Sequence, residues 1–312
     1  MTRRLIHDCD PGHDDAVALL LALASPELEV VAVTTTHGNV ALARTTENAL
    51  RLLALADRHI PVYPGADRPL LRPALHAPHV HGESGIGDVR LPEPTQAPEQ
   101  MRAAVAIVEE ARRAPGLTLV ATGPLTNVAL ALRLEPRLPE LLAEVVVMGG
   151  STDAGNASPA AEFNFLADPH AACLVFDAAA EDGLKLTMFG LNVTRQVPVR
   201  RADEARLRAV GTAAARACAD FMADYLSRLE ARGRAGFSAL HDPCTVAYLI
   251  RPELFTFQDL RVWIDDAEGL NFGRSLADLN GVSGEAPNAK VAVGADAAGF
   301  YDLLAERMAR LP

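Results

Sequence analysis

The sequence has no apolar run near the roughly 20 residues that a membrane-spanning helix needs, so no helical membrane anchor is expected. It also lacks the uninterrupted apolar stretch of a signal peptide, since Asp8 and Asp10 follow Arg3 and Arg4 almost at once. No CxxC pair occurs, and Cys9, Cys173, Cys218 and Cys244 lie far apart. In a chain of this size they read as reduced thiols, which fits a cytoplasmic protein. There is no basic excess either. The formal net charge of −11 argues against a general nucleic-acid binder, which would carry a basic face, but leaves a small neutral substrate open. With 312 residues, 49% hydrophobic and 22% charged, the chain suits an ordinary soluble globular protein with a large core.

Strand-like and helix-like segments alternate from the start. Leu5–Cys9, Leu28–Thr35, Leu117–Ala121 and Glu144–Met148 are apolar, β-branched runs, and helical patterns over Asp14–Ala24, Ala41–Ala56, Pro98–Arg113 and Leu125–Leu134 separate them. Continuous apolar strands between helices predict an α/β fold, an open and mostly parallel sheet with helices on both faces. The second half is less regular. It predicts a strand at Leu184–Phe189, helical material over Arg200–Arg232, a short helix at Pro243–Ile250, then a strand at Val291–Val293 and a closing helix at Ala297–Arg310. The Pro- and His-rich stretch Pro64–Pro98 reads as loop. No repeat or linker divides residues 1–312, so one domain is expected.

Ligands of an open parallel sheet bind beyond the carboxyl ends of its strands. At the end of the first strand, HDCDPGHDDA places Asp8, Asp10, Asp14 and Asp15 within eight residues around Pro11-Gly12. Carboxylates this close repel one another unless a cation offsets them, and oxygen donors suit a hard cation such as Ca²⁺ or Mg²⁺. Asp14 or Asp15 could instead serve only the dipole of the following helix. An EF-hand is excluded, because Gly12 and Leu19 occupy the loop's fifth and twelfth positions. A haloacid-dehalogenase-type phosphatase, with Asp8 as nucleophile and Asp10 as the second acid, is the alternative hydrolase; Gly12 departs from its motif and Asp14-Asp15 would be superfluous.

The DCDPGHDDA segment resembles the N-terminal fingerprint of the inosine–uridine-preferring nucleoside hydrolase family. The resemblance covers nearly the whole chain. TTHGNV (35–40), HGESGIGD (81–88), ATGPLTN (121–127), VVMGG (146–150), GNASPAAEFNFLADP (155–169) and HDPCTVAY (241–248) follow in order. It implies a nucleoside hydrolase of Rossmann-like fold that cleaves nucleosides to base and ribose. Asp10, Asp15 and Asp242 are implied to hold Ca²⁺ through carboxylates and Thr126 through its backbone carbonyl, with Asp10 also the general base for water. Thr126-Asn127 would alternatively be a helix cap. Such a metal lowers the pKa of bound water, and the reaction builds oxocarbenium character on the sugar.

The same resemblance implies that Asp14, Asn39, Asn156, Glu162 and Asn164 contact the ribose. Phe163, His81 and Tyr225 are implied to stand near the base, and His241 to protonate the leaving base. Relatives that handle inosine well often carry a second Tyr one helical turn after Tyr225; Leu229 stands there, which tilts the expectation toward pyrimidines. A zinc site at His76, His79 and His81 is not expected in a Pro-rich loop, and no chemistry is read into Trp263, Asp265 or Asp266. The family implies a homodimer or homotetramer. A non-catalytic nucleoside or ribose sensor is the competing reading, and the presence of Asp10, Asp15, Asp242 and His241 counts against it.

Overall fold

The computed structural model describes residues 2–233 and 238–312. Its first half alternates strand and helix: β1 (Arg3–Cys9), α1 (His13–Leu23), β2 (Leu28–Thr35), α2 (Leu42–Leu55), β3 (Val62–Pro64), α3 (Pro78–His81), α4 (Ala103–Arg113), β4 (Leu117–Ala121), α5 (Thr126–Leu134), α6 (Leu138–Leu141) and β5 (Leu142–Met148). The second half continues with α7 (Phe163–Ala167), α8 (Pro169–Glu181), β6 (Leu186–Phe189), α9 (Leu191–Thr194), α10 (Arg201–Val210), α11 (Ala213–Ala231) and α12 (Pro243–Ile250). It ends with β7 (Phe255–Leu260), β8 (Val262–Ile264), β9 (Ser275–Ala277), β10 (Ala289–Ala295) and α13 (Ala297–Met308).

Eight strands form one sheet in the order β3-β2-β1-β4-β5-β6-β10-β7, parallel except for the antiparallel edge strand β7. Successive side chains point to opposite faces, so Leu5 joins one apolar cluster and Ile6 the other, as do Val146 and Val145. One cluster contains residues of α1, α2, α11, α12 and α13; the other contains residues of α4, α5 and α8. Burial on both faces explains why these strands read as continuous apolar runs rather than alternating ones. Among the described residues, no helix is long and apolar enough to cross a membrane.

The chain leaves β1 toward β2 and β3 on one side and occupies β4, β5 and β6 on the other. The crevice of an open sheet lies at such a reversal, beyond the carboxyl ends. The loops after β1, β2, β4, β5 and β6 all open there. The 200–232 helical stretch divides at Gly211, whose φ of +87° is a left-handed cap that suits glycine. The predicted 98–113 helix begins later, at Ala103. Strands β3, β7, β8 and β9 escaped the sequence reading: three have only three residues, and β7 is a partly exposed edge strand.

Candidate active site

The acid cluster forms where β1 turns into α1. Asp15 reaches back to cap that turn, its Oδ1 accepting the Asp10 backbone N–H at 3.3 Å and its Oδ2 the Gly12 N–H at 3.1 Å. From β4, the Thr122 hydroxyl donates to Asp15 Oδ1 at 2.8 Å. From the loop after β2, Asn39 donates its backbone N–H to Asp10 Oδ2 at 2.6 Å and its amide to Asp15 Oδ2 at 3.2 Å. Asp242 arrives from far along the chain, at the head of α12. Asp14, Asp15 and Asp242 each offer a carboxylate oxygen within 4.8 Å of the others, and all three are buried. Asp10 Oδ1 is buried without a hydrogen-bond partner.

Burial is the first cause that raises the proton affinity of Asp10, Asp14, Asp15 and Asp242, and repulsion from neighbouring carboxylates adds to it at Asp10, Asp14 and Asp242. Carboxylate oxygens of Asp15 and Asp242 lie within 4.8 Å of each other, close enough that a shared proton would relieve their repulsion. A helix N-terminus favours negative charge, but here it does not offset the desolvation. A cation would replace that proton. Orphaned Asp10 Oδ1 and three converging carboxylates form an all-oxygen donor set, which fits a hard cation rather than zinc.

Beside the cluster lies a cavity of about 370 Å³. Of the residues predicted for the site, Asp14, Asn39, His81, Asn156, Glu162, Phe163, Asn164, Tyr225, His241 and Asp242 all face it. Glu162 accepts three backbone N–H groups, from Gly150, Asn164 and Phe165, yet burial still pushes its carboxyl up to about 7. Asn164 turns its amide N–H₂ toward the carbonyls of Thr122 and Met148. His241 bonds through Nδ1 to the Thr194 hydroxyl at 2.7 Å; burial, then Arg195, holds it down to about 4, so the ring is neutral.

Several expectations change. Thr126 does not line the cavity. It sits in the first turn of α5, its hydroxyl donating to Asp168 at 2.7 Å and contacting His37. Thr122, four residues earlier in the same motif, does line it, because β4 ends at Ala121 and delivers the next residue to the crevice. Asp14, Asp15 and Asp242 form the converging trio, and Asp10 and Asp15, joined by the Asp10 backbone N–H, do not line the cavity. Asp8 is buried and does not line the cavity, its Oδ1 accepting hydrogen bonds from Thr34 and Asn127. His76 bonds to the Gly38 carbonyl and His81 to His13, and the metal-type cluster among the described residues contains neither. The sequence reading also passed over His13, Thr194, Arg195 and Asp224. His13 lies inside the quoted fingerprint and was legible there; Asp224 carried no local signal.

Comparison with known proteins agrees with this geometry. The sequence model of a family described as inosine-uridine preferring nucleoside hydrolase matches residues 5–302. The chain is 45% identical to a pyrimidine-specific ribonucleoside hydrolase RihA of Enterobacter sp. (strain 638), over 99% of each chain. It is 43% identical to the RihA of Escherichia coli O7:K1, again over 99% of each. Among solved structures, a purine-preferring ribonucleoside hydrolase from Gardnerella vaginalis superposes with a TM-score of 0.90 at 31% identity, covering 98% of both chains.

The buried charges predict an unusual pH profile for cation-free protein. Asp8 and Glu162 rise to about 7, so the folded chain gains protons near neutrality that the unfolded chain does not bind. Stability should therefore increase as pH falls from about 8 to about 6.5. Below that, His7, His37 and His241, all held down to about 4, oppose the trend, because the unfolded chain then binds the extra protons. Asp10, Asp14, Asp15 and Asp242 are raised as well, so the denaturant midpoint of chelator-treated protein is expected to rise as pH falls from about 8 toward neutrality. A midpoint that rises steadily toward alkaline pH would contradict the assignment.

Proposed function

Because the chain belongs to the inosine-uridine preferring nucleoside hydrolase family, we propose that it hydrolyses pyrimidine ribonucleosides to free base and ribose, in nucleoside salvage, with Ca²⁺ as resident cation. One observation supports the site: buried Asp14, Asp15 and Asp242 converge beside a cavity that Asp14 and Asp242 line, and Asp10, at the head of the same turn, keeps a buried Oδ1 without a hydrogen-bond partner. Asp10, Asp15 and Asp242 would hold the cation. When bound, it would offset their charge and orient both the sugar hydroxyls and the attacking water.

The protein groups divide the remaining work. Asp10 Oδ1 has no competing donor, and its raised proton affinity suits a general base that takes a proton from water. Asp14, Asn39, Asn156, Glu162 and Asn164 line the same cavity and would hold ribose hydroxyls. Asn39 and Asn164 spend amide protons on the acid loop and on backbone carbonyls, which fixes their orientation. Phe163, His81 and Tyr225 would surround the base. His241 is neutral in the free protein, so its help to the departing base begins as a hydrogen bond from its ring N–H. A Thr194 hydroxyl that donates to Nδ1 would leave that proton on Nε2.

Leu229 lines the cavity where purine-handling relatives often carry Tyr, and the RihA relatives at 43–45% identity are pyrimidine-specific. Both support a pyrimidine preference. The four free cysteines fit a reducing, cytoplasmic setting. The resemblance also supports a homodimer or homotetramer, and light scattering at the mass of one 33.1 kDa chain would refute that.

The direct test supplies uridine, cytidine, inosine, adenosine and thymidine with and without chelator, and measures released base. Chelator-sensitive release is expected, with uridine or cytidine favoured over inosine by at least about tenfold in kcat/KM. An inverted ranking would sink the base preference alone. Complete inactivity with Ca²⁺ supplied would favour the sensor reading. Replacing the base, Asp10→Asn should lower kcat by about 10²–10⁴ in a protein that still folds; near-normal turnover would remove Asp10 from that role.

A further inference from the structure

Asp224 of α11 is a largely buried carboxylate that touches neither the cation cluster nor the cavity. Its Oδ2 accepts the Nε2 proton of His13 at 2.9 Å and a second hydrogen bond from Arg228 Nε. It presses on the loop after α3 so closely that a β-carbon at Gly87, where φ is +62°, would lie 2.0 Å from Oδ2. Further along the same side of α11, Arg228 reaches Asp88 at 3.7 Å and Arg232 donates to the His79 carbonyl at 3.1 Å. Residues 224, 228 and 232 share one helix face. Together they grip the loop that carries His81.

His13 passes the contact inward. Its Nδ1 lies 3.1 Å from His81 Nδ1, and its backbone N–H donates to the same atom at 3.3 Å. The two rings stack with centroids 5.2 Å apart. The His81 ring in turn lies nearly parallel to Tyr225, at 14° and 6.2 Å. His81 and Tyr225 face the cavity; His13 and Asp224 stand behind them. A flat wall built from two rings works only if neither ring rotates. Carboxylate-to-imidazole hydrogen bonds set both the angle of a histidine and the nitrogen that bears its proton.

We propose that Asp224 is a positioning residue for the base end of the cavity: acting through His13, it fixes the His81 ring and, by holding α11 against the loop, seats Tyr225 beside it. The group received there is the planar heterocycle of a nucleoside, so the inference rests on the function proposed above. Displacing a catalytic wall by about 1 Å can lower turnover by about 10²-fold without loss of the fold.

The test compares wild type, Asp224→Asn and Asp224→Glu with Ca²⁺ present. Three readouts are kcat and KM on the best pyrimidine nucleoside, inhibition by free ribose, and ¹⁵N NMR of the histidine ring nitrogens. Asp224→Asn is expected to lower kcat at least about tenfold while KM moves less than about threefold. Ribose inhibition should stay within about twofold, because the sugar end draws on other residues. Ring-nitrogen resonances of His13 and His81 should shift, and Asp224→Glu should recover most of kcat. Unchanged kcat in Asp224→Asn, parallel loss of ribose inhibition, or no recovery by Asp224→Glu would each overturn the proposal. Wild type that releases no base would overturn the function as well, which separates the two failures.

Discussion

Asp10, Asp14, Asp15 and Asp242 lie together where water is excluded; burial makes all four harder to ionise, and Asp15 adds repulsion at the other three. Desolvation and like charge act in the same direction here. The surrounding backbone works against them. Asp15 caps the turn into α1, Asn39 holds Asp10 from the β2 side, and Thr122 holds Asp15 from β4. Three adjacent strands therefore end on one pair of carboxylates. The rest of the site is arranged around the unfinished balance of charge that they create.

That dependence explains why the cavity lies at the reversal of strand order. Between β1 and β4 the sheet offers two strand ends and the mouth of a helix in one crevice. Acids carried there are held by backbone donors whose positions the sheet fixes. A loop on an outer face would leave the same carboxylates solvated, with ordinary proton affinities and weak attraction for a cation.

The two ends of the cavity are built differently. At the sugar end, side chains hang from strand termini and from short turns locked by backbone hydrogen bonds, as Glu162 is by three N–H groups. At the base end, the wall depends on α11 and a glycine-rich loop, joined by Asp224, Arg228 and Arg232. On the proposed function, a sugar common to many substrates would meet the end locked by backbone hydrogen bonds. The variable base would meet side chains that a few substitutions can reset, and Leu229 belongs to that part.

Much of this was legible in the sequence because it is local. The DCDPGHDD segment puts acids between a strand and a helix, close enough to point to an offsetting cation. Apolar runs separated by helical periods gave the parallel sheet, since strands buried on both faces have no polar alternation to hide them. The very short strands and the edge strand β7 were missed, because three residues or a half-solvated edge leave little pattern to read. Thr122 and Thr126 belong to one motif, and only the point at which β4 ends decides which of them reaches the crevice. The link from Asp224 to His13 spans 211 positions. No local pattern encodes it; packing of α11 beside α1 brings the two side chains into contact, and tertiary structure alone could decide that.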